Sequence, residues 1–244
     1  MATSKRTAWI DPGNPLIDVF DKLHPFVSGR RKALSCLAGL SLSGLLPSSA
    51  QAATQSSSFK GIGPWHAAIL AQAQCAPWLR RRTCSGWEEL RPEHSLYRER
   101  GQGQVIAAGW SRLCDLLRDT RANRVEYMDL ALLDILVCMQ YWCWYYGARG
   151  PLIITSGFRT KATNDNLEGA ARNSLHMQGK AVDLRHPEVD SLTLSRMGVI
   201  LQMGGVGFYP SSNFTHLDTG NVRRWGQRAY ARMQTPTVFR SARP

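Results

Sequence analysis

No Cys-x-x-Cys pair occurs among the six cysteines of this 244-residue chain, and none stands at the spacing of a thiolate zinc site. No Gly-Lys-Ser/Thr follows Gly101-Gln102-Gly103, which excludes a phosphate-cradling loop there. Apolar runs long enough to span a bilayer are also missing. Ala33–Leu46 has 14 residues, and the apolar stretch after Asp129 is interrupted by Asp134 and Gln140. Acidic residues are scarce: 18 Asp plus Glu stand against 30 Lys plus Arg, a net charge of +12, which favours polyanionic surroundings such as nucleic acid, anionic lipid or acidic cell-wall polymers. What is present, 43% apolar residues, suffices for a core and excludes a wholly disordered chain.

The first 52 residues read as an export signal. Arg30-Arg31-Lys32 precedes the small, apolar run Ala33–Leu46, and Ala50-Gln51-Ala52 has the small-x-small pattern of a cleavage site. The arginine pair resembles a twin-arginine signal, the route of proteins exported already folded. Without these residues the chain still carries +9, since six basic and three acidic side chains go with them. The reading therefore divides the chain into a signal at 1–52, a Ser/Gly/Pro-rich lead-in at 53–64, an extension with short strands at 65–112, a main domain at 113–228 and a tail at 229–244. The expected location is the periplasm or cell envelope.

Within the extension, 65–73 fits helix or strand equally, and the runs 79–82, 87–91 and 96–100 read as an antiparallel meander. Residues 109–117 carry Trp110, Leu113 and Leu117 on one helical face; Asp129 caps a longer apolar helix ended by Gly147; 151–155 is a strand leading into Ser156-Gly157. Cys75 and Cys84 could close a disulfide in an oxidising compartment, whereas Cys114, Cys138 and Cys143 read as small buried hydrophobes. His186 reads as a surface histidine.

Ser174-Leu175-His176-Met177-Gln178-Gly179-Lys180-Ala181-Val182-Asp183, with His216 further on, supplies two imidazoles and a carboxylate, the three protein ligands of a catalytic zinc with an open position. Such a zinc polarises a carbonyl and brings the pKa of its water to about 7, as amide hydrolysis requires. Ser-x-His-x-x-Gly-x-Ala-x-Asp, preceded by Ser156-Gly157-Phe158-Arg159 and followed by Gly204–Pro210 and His216-Leu-Asp-Thr-Gly220, resembles the peptidoglycan-cleaving zinc peptidases related to murein endopeptidase K and the D-Ala-D-Ala dipeptidases. The likeness runs from about Leu113 to Trp225. It implies that Zn2+ is held by His176, Asp183 and His216, that Arg159 steadies the substrate or an oxyanion, and that Ser174 orients a ligand. It also implies an α+β fold, of the hedgehog and D-Ala-D-Ala peptidase kind: a small antiparallel sheet with helices packed on one side.

One position departs from these relatives. Where the D-Ala-D-Ala dipeptidases carry an acidic general base, three residues before the last ligand, this chain has Asn213, which has no basic site near neutral pH. Asp218 is the nearest substitute, provided the segment is extended so that it shares a face with His216. The expected function is zinc-dependent hydrolysis of amide bonds in peptidoglycan stems or cross-links, with peptidoglycan peptides as partners and no transmembrane span in the mature chain. The alternative is a non-catalytic zinc-containing wall-binding module. Specific nucleic-acid binding is disfavoured because the basic residues are scattered and no reading motif occurs.

Overall fold

The computed structural model describes residues 69–70, 74–99 and 103–226. The expected signal, lead-in and tail, and most of 65–73, lie outside them. The elements in chain order are β1 (Leu79–Thr83), β2 (Gly86–Leu90), α1 (Pro92–Ser95), α2 (Ala107–Leu116), α3 (Leu130–Tyr145), β3 (Leu152–Ser156), α4 (Lys161–Asp165), a single 3-10 turn (Leu175–Gln178), β4 (Ala181–Arg185), α5 (Ser191–Leu201), β5 (Gly205–Tyr209), β6 (Phe214–Asp218) and β7 (Arg223–Gly226).

The α+β class is as expected, but the sheet is not small. Its seven strands run β2-β1-β3-β4-β6-β5-β7. Nor is it wholly antiparallel: β1 pairs β3, and β5 pairs β7, in parallel. The first parallel pair arises because α1, α2 and α3 return the chain to the end of the sheet where β1 began. The β1–β2 hairpin thus belongs to the same sheet as the ligand-bearing strands.

The helix after Asp129 forms as read. Asp129 accepts the Ala131 N–H at 3.0 Å and so caps α3. Residues 132–144 of α3 are all buried, which is why it is apolar on every side; it is the core helix, and no helix of the described residues is long and apolar enough to cross a membrane. The residue that interrupts its apolar pattern, Asp134, accepts the Tyr97 O–H at 2.6 Å and faces Arg98 at 3.6 Å. Burial, partly offset by Arg98 and Tyr97, pushes its carboxyl up to about 6.

The meander is half right. β1 and β2 pair antiparallel, with Arg82 opposite Trp87. The run 96–100, described as far as Glu99, shows no third strand among its described residues: Pro92 opens α1 instead, and Arg98 makes only isolated bridges to Cys75 and Val105. Cys75 is buried and Cys84 exposed, so they form no disulfide; all five described cysteines are free. His186 is also buried rather than on the surface, with Nε2 3.1 Å from the Gly150 carbonyl.

Strand alternation sorts the sheet into two faces. Leu79, Leu152, Ile154, Leu184 and Leu217 point to the helical side and are buried there. Gly198 of α5 packs directly on Leu217 and Val206. Asp183 and His216 stand opposite each other on β4 and β6, on the other face.

Candidate metal centre

Each of the three expected ligands is held by a different local device. Asp183 and His216 are cross-strand neighbours, fixed by the β4–β6 register. His176 comes from the 3-10 turn, whose first N–H groups are capped by Ser174: its Oγ accepts the His176 N–H at 3.3 Å. The turn ends on Gly179 at φ +66, where a Cβ would come within 2.4 Å of the Tyr127 carbonyl oxygen. Gly157 likewise lies against the Leu117 carbonyl, at 2.2 Å from an added Cβ.

The three donor atoms converge. His176 Nε2 is 3.2 Å from His216 Nδ1 and 3.3 Å from Asp183 Oδ1, and the last two are 2.8 Å apart. Donors bonded to one tetrahedral zinc at about 2.1 Å lie about 3.4 Å from one another, so the spacing fits a single small ion.

The protons fit as well. His176 Nδ1–H donates to the Gly157 carbonyl at 2.7 Å, and His216 Nε2–H donates to Asp218 Oδ2 at 3.0 Å. Each bond fixes the tautomer that turns the other ring nitrogen, with its lone pair, toward Asp183. With both rings neutral, three acceptors face one another, an arrangement that calls for a cation, whether a proton or a metal ion.

The electrostatics agree. Burial pushes His176 below the ordinary histidine range, favouring the neutral ring that a metal binds. Burial lowers His216 too, but the hydrogen bonds and charges of Asp183 and Asp218 outweigh it and raise its pKa. Burial would raise Asp183, yet the two histidines hold it well below the usual carboxylate range. A site that draws a proton onto His216 attracts a metal cation for the same reason.

Arg159 reaches the cluster from the loop after β3. Its Nε donates to Ser156 Oγ at 2.8 Å and its Nη2 to Asp183 Oδ2 at 2.5 Å, the oxygen turned away from the histidines. That loop is anchored by Asp119, which accepts the Thr160 N–H at 2.8 Å and the Thr160 hydroxyl at 2.9 Å. Sequence reasoning gave Asp119 no role, since a single acid after a helix carries no spacing signature.

Asp218 lies on an extended β6 and does share a face with His216. Its oxygens are fully engaged, however. Oδ1 accepts from Gly205 N at 3.0 Å, Gly220 N at 2.8 Å and Arg223 Nη1 at 3.0 Å; Oδ2 accepts from Arg223 Nη2 at 2.8 Å as well as from His216. Burial opposes ionisation, but the bonds from His216 and Arg223 hold Asp218 at about 2. Asn213 stands in the β5–β6 turn, exposed, at φ +49, a left-handed conformation that asparagine tolerates well. It is not among the residues that line the cleft around the triad.

That cleft has a volume of about 780 Å³ and contains Arg159 and all three candidate ligands. Of its lining carboxylates, Glu168 is the one apart from Asp183 and Asp218. One wall is aromatic. Tyr209 and Phe214 stack at 4.5 Å, the Trp225 indole N–H donates to the Tyr209 oxygen at 2.8 Å, and the Trp225 ring is 5.1 Å from that of His216. These three residues were not legible as a group, because their meeting depends on the parallel pairing of β5 with β7.

Comparison with known proteins points to one family. The sequence model of the family described as peptidoglycan L,D-endopeptidase MepK matches residues 93–225. The chain is 35% identical over 119 residues to the peptidoglycan L,D-endopeptidase MepK of Escherichia coli (strain K12), covering 47% of this chain and 64% of that relative. It is 38% identical over 138 residues to the probable peptidoglycan L,D-endopeptidase MepK of Haemophilus influenzae, covering 52% of this chain and 73% of that relative. The matched span runs from α1 to β7 and takes in every residue of the triad, so the chain belongs to the peptidoglycan L,D-endopeptidase MepK family.

Proposed function

We propose that this protein is a zinc-dependent hydrolase of amide bonds in the peptide stems or cross-links of peptidoglycan, working in the cell envelope. The observation that carries the reading is the convergence of His176 Nε2, Asp183 Oδ1 and His216 Nδ1 to within 3.3 Å of one another. The names of the relatives, which act on peptidoglycan, support the substrate.

When bound by these three residues, zinc supplies a Lewis acid and acidifies a water to a pKa near 7. The chain's own residues do the rest. Gly157 and Asp218 hold the two rings in the required tautomers. Arg159 restrains Asp183 through one nitrogen, while its Nη1, without a partner among the described residues, is available to an oxygen that gains negative charge. The Tyr209–Phe214–Trp225 wall offers apolar surface along which a peptide lies. Asp218, saturated with hydrogen bonds, serves as a positioning residue for His216 and not as the proton acceptor.

The test combines zinc content with release of soluble fragments from peptidoglycan, before and after chelation, in one preparation. About one zinc per chain with chelator-sensitive release is expected. Zinc without release would favour the wall-binding module, and no zinc would remove the reading. His176→Ala is expected to lose both zinc and turnover.

A further inference from the structure

Strand pairing carries the face that bears the triad across the sheet to the β1–β2 hairpin. Asp183 and Arg185 alternate on β4. Arg185 stands opposite Ile153, Ile153 opposite Arg80, and Arg82 opposite Trp87. Directly paired residues share a face, so Arg185, Arg80 and Arg82 lie on the same side as Asp183 and His216. The residues between them, Leu184 and Arg81, turn to the helical side, where Arg81 donates to the Leu116 carbonyl at 3.0 Å.

Arg80, Arg82 and Arg185 on this face form no ion pair with any described residue. Arg185 is half-buried, its side chain has no hydrogen bond or ion pair to any described residue, and its buried Nε is without a partner; the buried Nε of Arg80 is likewise unpartnered. The guanidinium groups of Arg80 and Arg82 lie 4.4 and 5.6 Å from the centre of the exposed Trp87 ring. Such stacking holds a cation in place without cancelling its charge. The acid of β2 on this side, Glu89, is already taken by Arg91 at 3.0 Å and by the Trp78 indole N–H at 2.9 Å. A half-buried guanidinium without a counter-anion is costly, and an anionic ligand relieves that cost. The hairpin also precedes residues 93–225, so it adds these charges outside the span matched to the family.

We propose that this basic face is a second contact surface for the wall polymer cut in the cleft: carboxylates of peptide stems flanking the scissile bond pair with Arg185, Arg80 and Arg82. The hairpin lies roughly 10 to 15 Å, two to three strand spacings, from β4, so a stem beyond the one being cut reaches it. The proposal rests on the reading of the cleft as a peptidoglycan-hydrolysing site. Charge complementarity selects the occupant, and continuity with the cleft selects the same polymer over an unrelated polyanion.

The test compares the zinc-loaded protein with its Arg80→Gln/Arg82→Gln variant on two substrates: insoluble peptidoglycan stripped of phosphate-bearing polymers, and a soluble cross-linked stem-peptide dimer. The variant is expected to keep turnover of the soluble dimer within twofold while its KM for the insoluble polymer rises about five- to tenfold, with a weaker salt dependence. In co-sedimentation, peptidoglycan with amidated stem carboxylates should retain the parent protein as poorly as untreated peptidoglycan retains the variant. Equal KM values on the polymer, or retention that follows phosphate polymers or duplex DNA but not stem carboxylates, overturns the proposal. If the parent protein cleaves neither substrate yet the retention difference persists, the hydrolase reading fails and the surface stands.

Discussion

Asp218 Oδ2 accepts the Nε2–H of His216 at 3.0 Å, and it is this bond that turns the Nδ1 lone pair of His216 toward Asp183. The acid two residues after the last candidate ligand is thus tied to the candidate metal centre through the imidazole. Its remaining bonds to Gly205, Gly220 and Arg223 keep it immobile and ionised.

Asp218→Asn follows directly. An amide in place of the carboxylate weakens the hold on the tautomer and on the basicity of His216, and outer partners of metal-bound histidines typically matter by about 10- to 100-fold in metal affinity or activity. The variant is expected to bind zinc about 10- to 100-fold more weakly yet reach the same stoichiometry at saturation, as competition with a fluorescent chelator would read. Unchanged affinity with lost turnover would instead make Asp218 a direct participant in proton transfer.

Asn213→Asp is expected to leave turnover within about twofold of the parent. The side chain stands exposed in the β5–β6 turn, outside the cleft lining, and three residues from His216 is an odd step along a strand. Aspartate also tolerates the φ of +49, so the fold should be kept. A tenfold gain in steady-state hydrolysis would show that position 213 reaches the reacting atoms after all.

The core helix was legible because it depends on local pattern, α3 being apolar throughout; the candidate triad was read from a family resemblance, since Ser174 to Asp183 is one short stretch but His216 stands 33 residues further on. The sheet's size and mixed sense were not legible. Nothing in the run 79–83 says that β1 joins β3 in parallel after three intervening helices. The part that Asp119 and Trp225 play beside the site escaped for the same reason, since each reaches it through contacts with residues distant in the sequence. Asp218 was found, but its role turned on Arg223 and on two backbone N–H groups that only the folded loop brings to it.

Asp119 gives a pH prediction. Burial would raise its pKa, but hydrogen bonds from Thr163 and Thr160 outweigh this and hold it at about 2, against 3.8 for an ordinary aspartate. A depressed carboxyl contributes stability that is complete above the unfolded value and is lost as pH falls through the folded one. The shift corresponds to about 2 kcal/mol. Asp119→Ala is therefore expected to lower stability by about that amount at neutral pH, and to flatten the loss that the parent shows between about pH 4 and pH 2 in denaturant titrations. Since Asp119 anchors the loop bearing Arg159, turnover should fall while zinc stoichiometry holds. A variant as acid-sensitive as the parent would refute the linkage.

Gly179→Ala tests how the His176 turn is held. A Cβ there meets the Tyr127 carbonyl oxygen at 2.4 Å, a backbone atom that cannot swing aside as a flexible side chain would, and φ +66 disfavours any Cβ besides. The neighbourhood resists a shift, because the Gly179 carbonyl accepts the Asp129 N–H at 2.9 Å at the start of α3. Relief must come from the 3-10 turn itself, which moves His176 against Gly157. The expected outcome is a loss of about 1 to 3 kcal/mol in unfolding free energy together with weakened zinc binding. A variant that matched the parent in stability and metal affinity would mean that the turn has more freedom than its packing against Tyr127 allows.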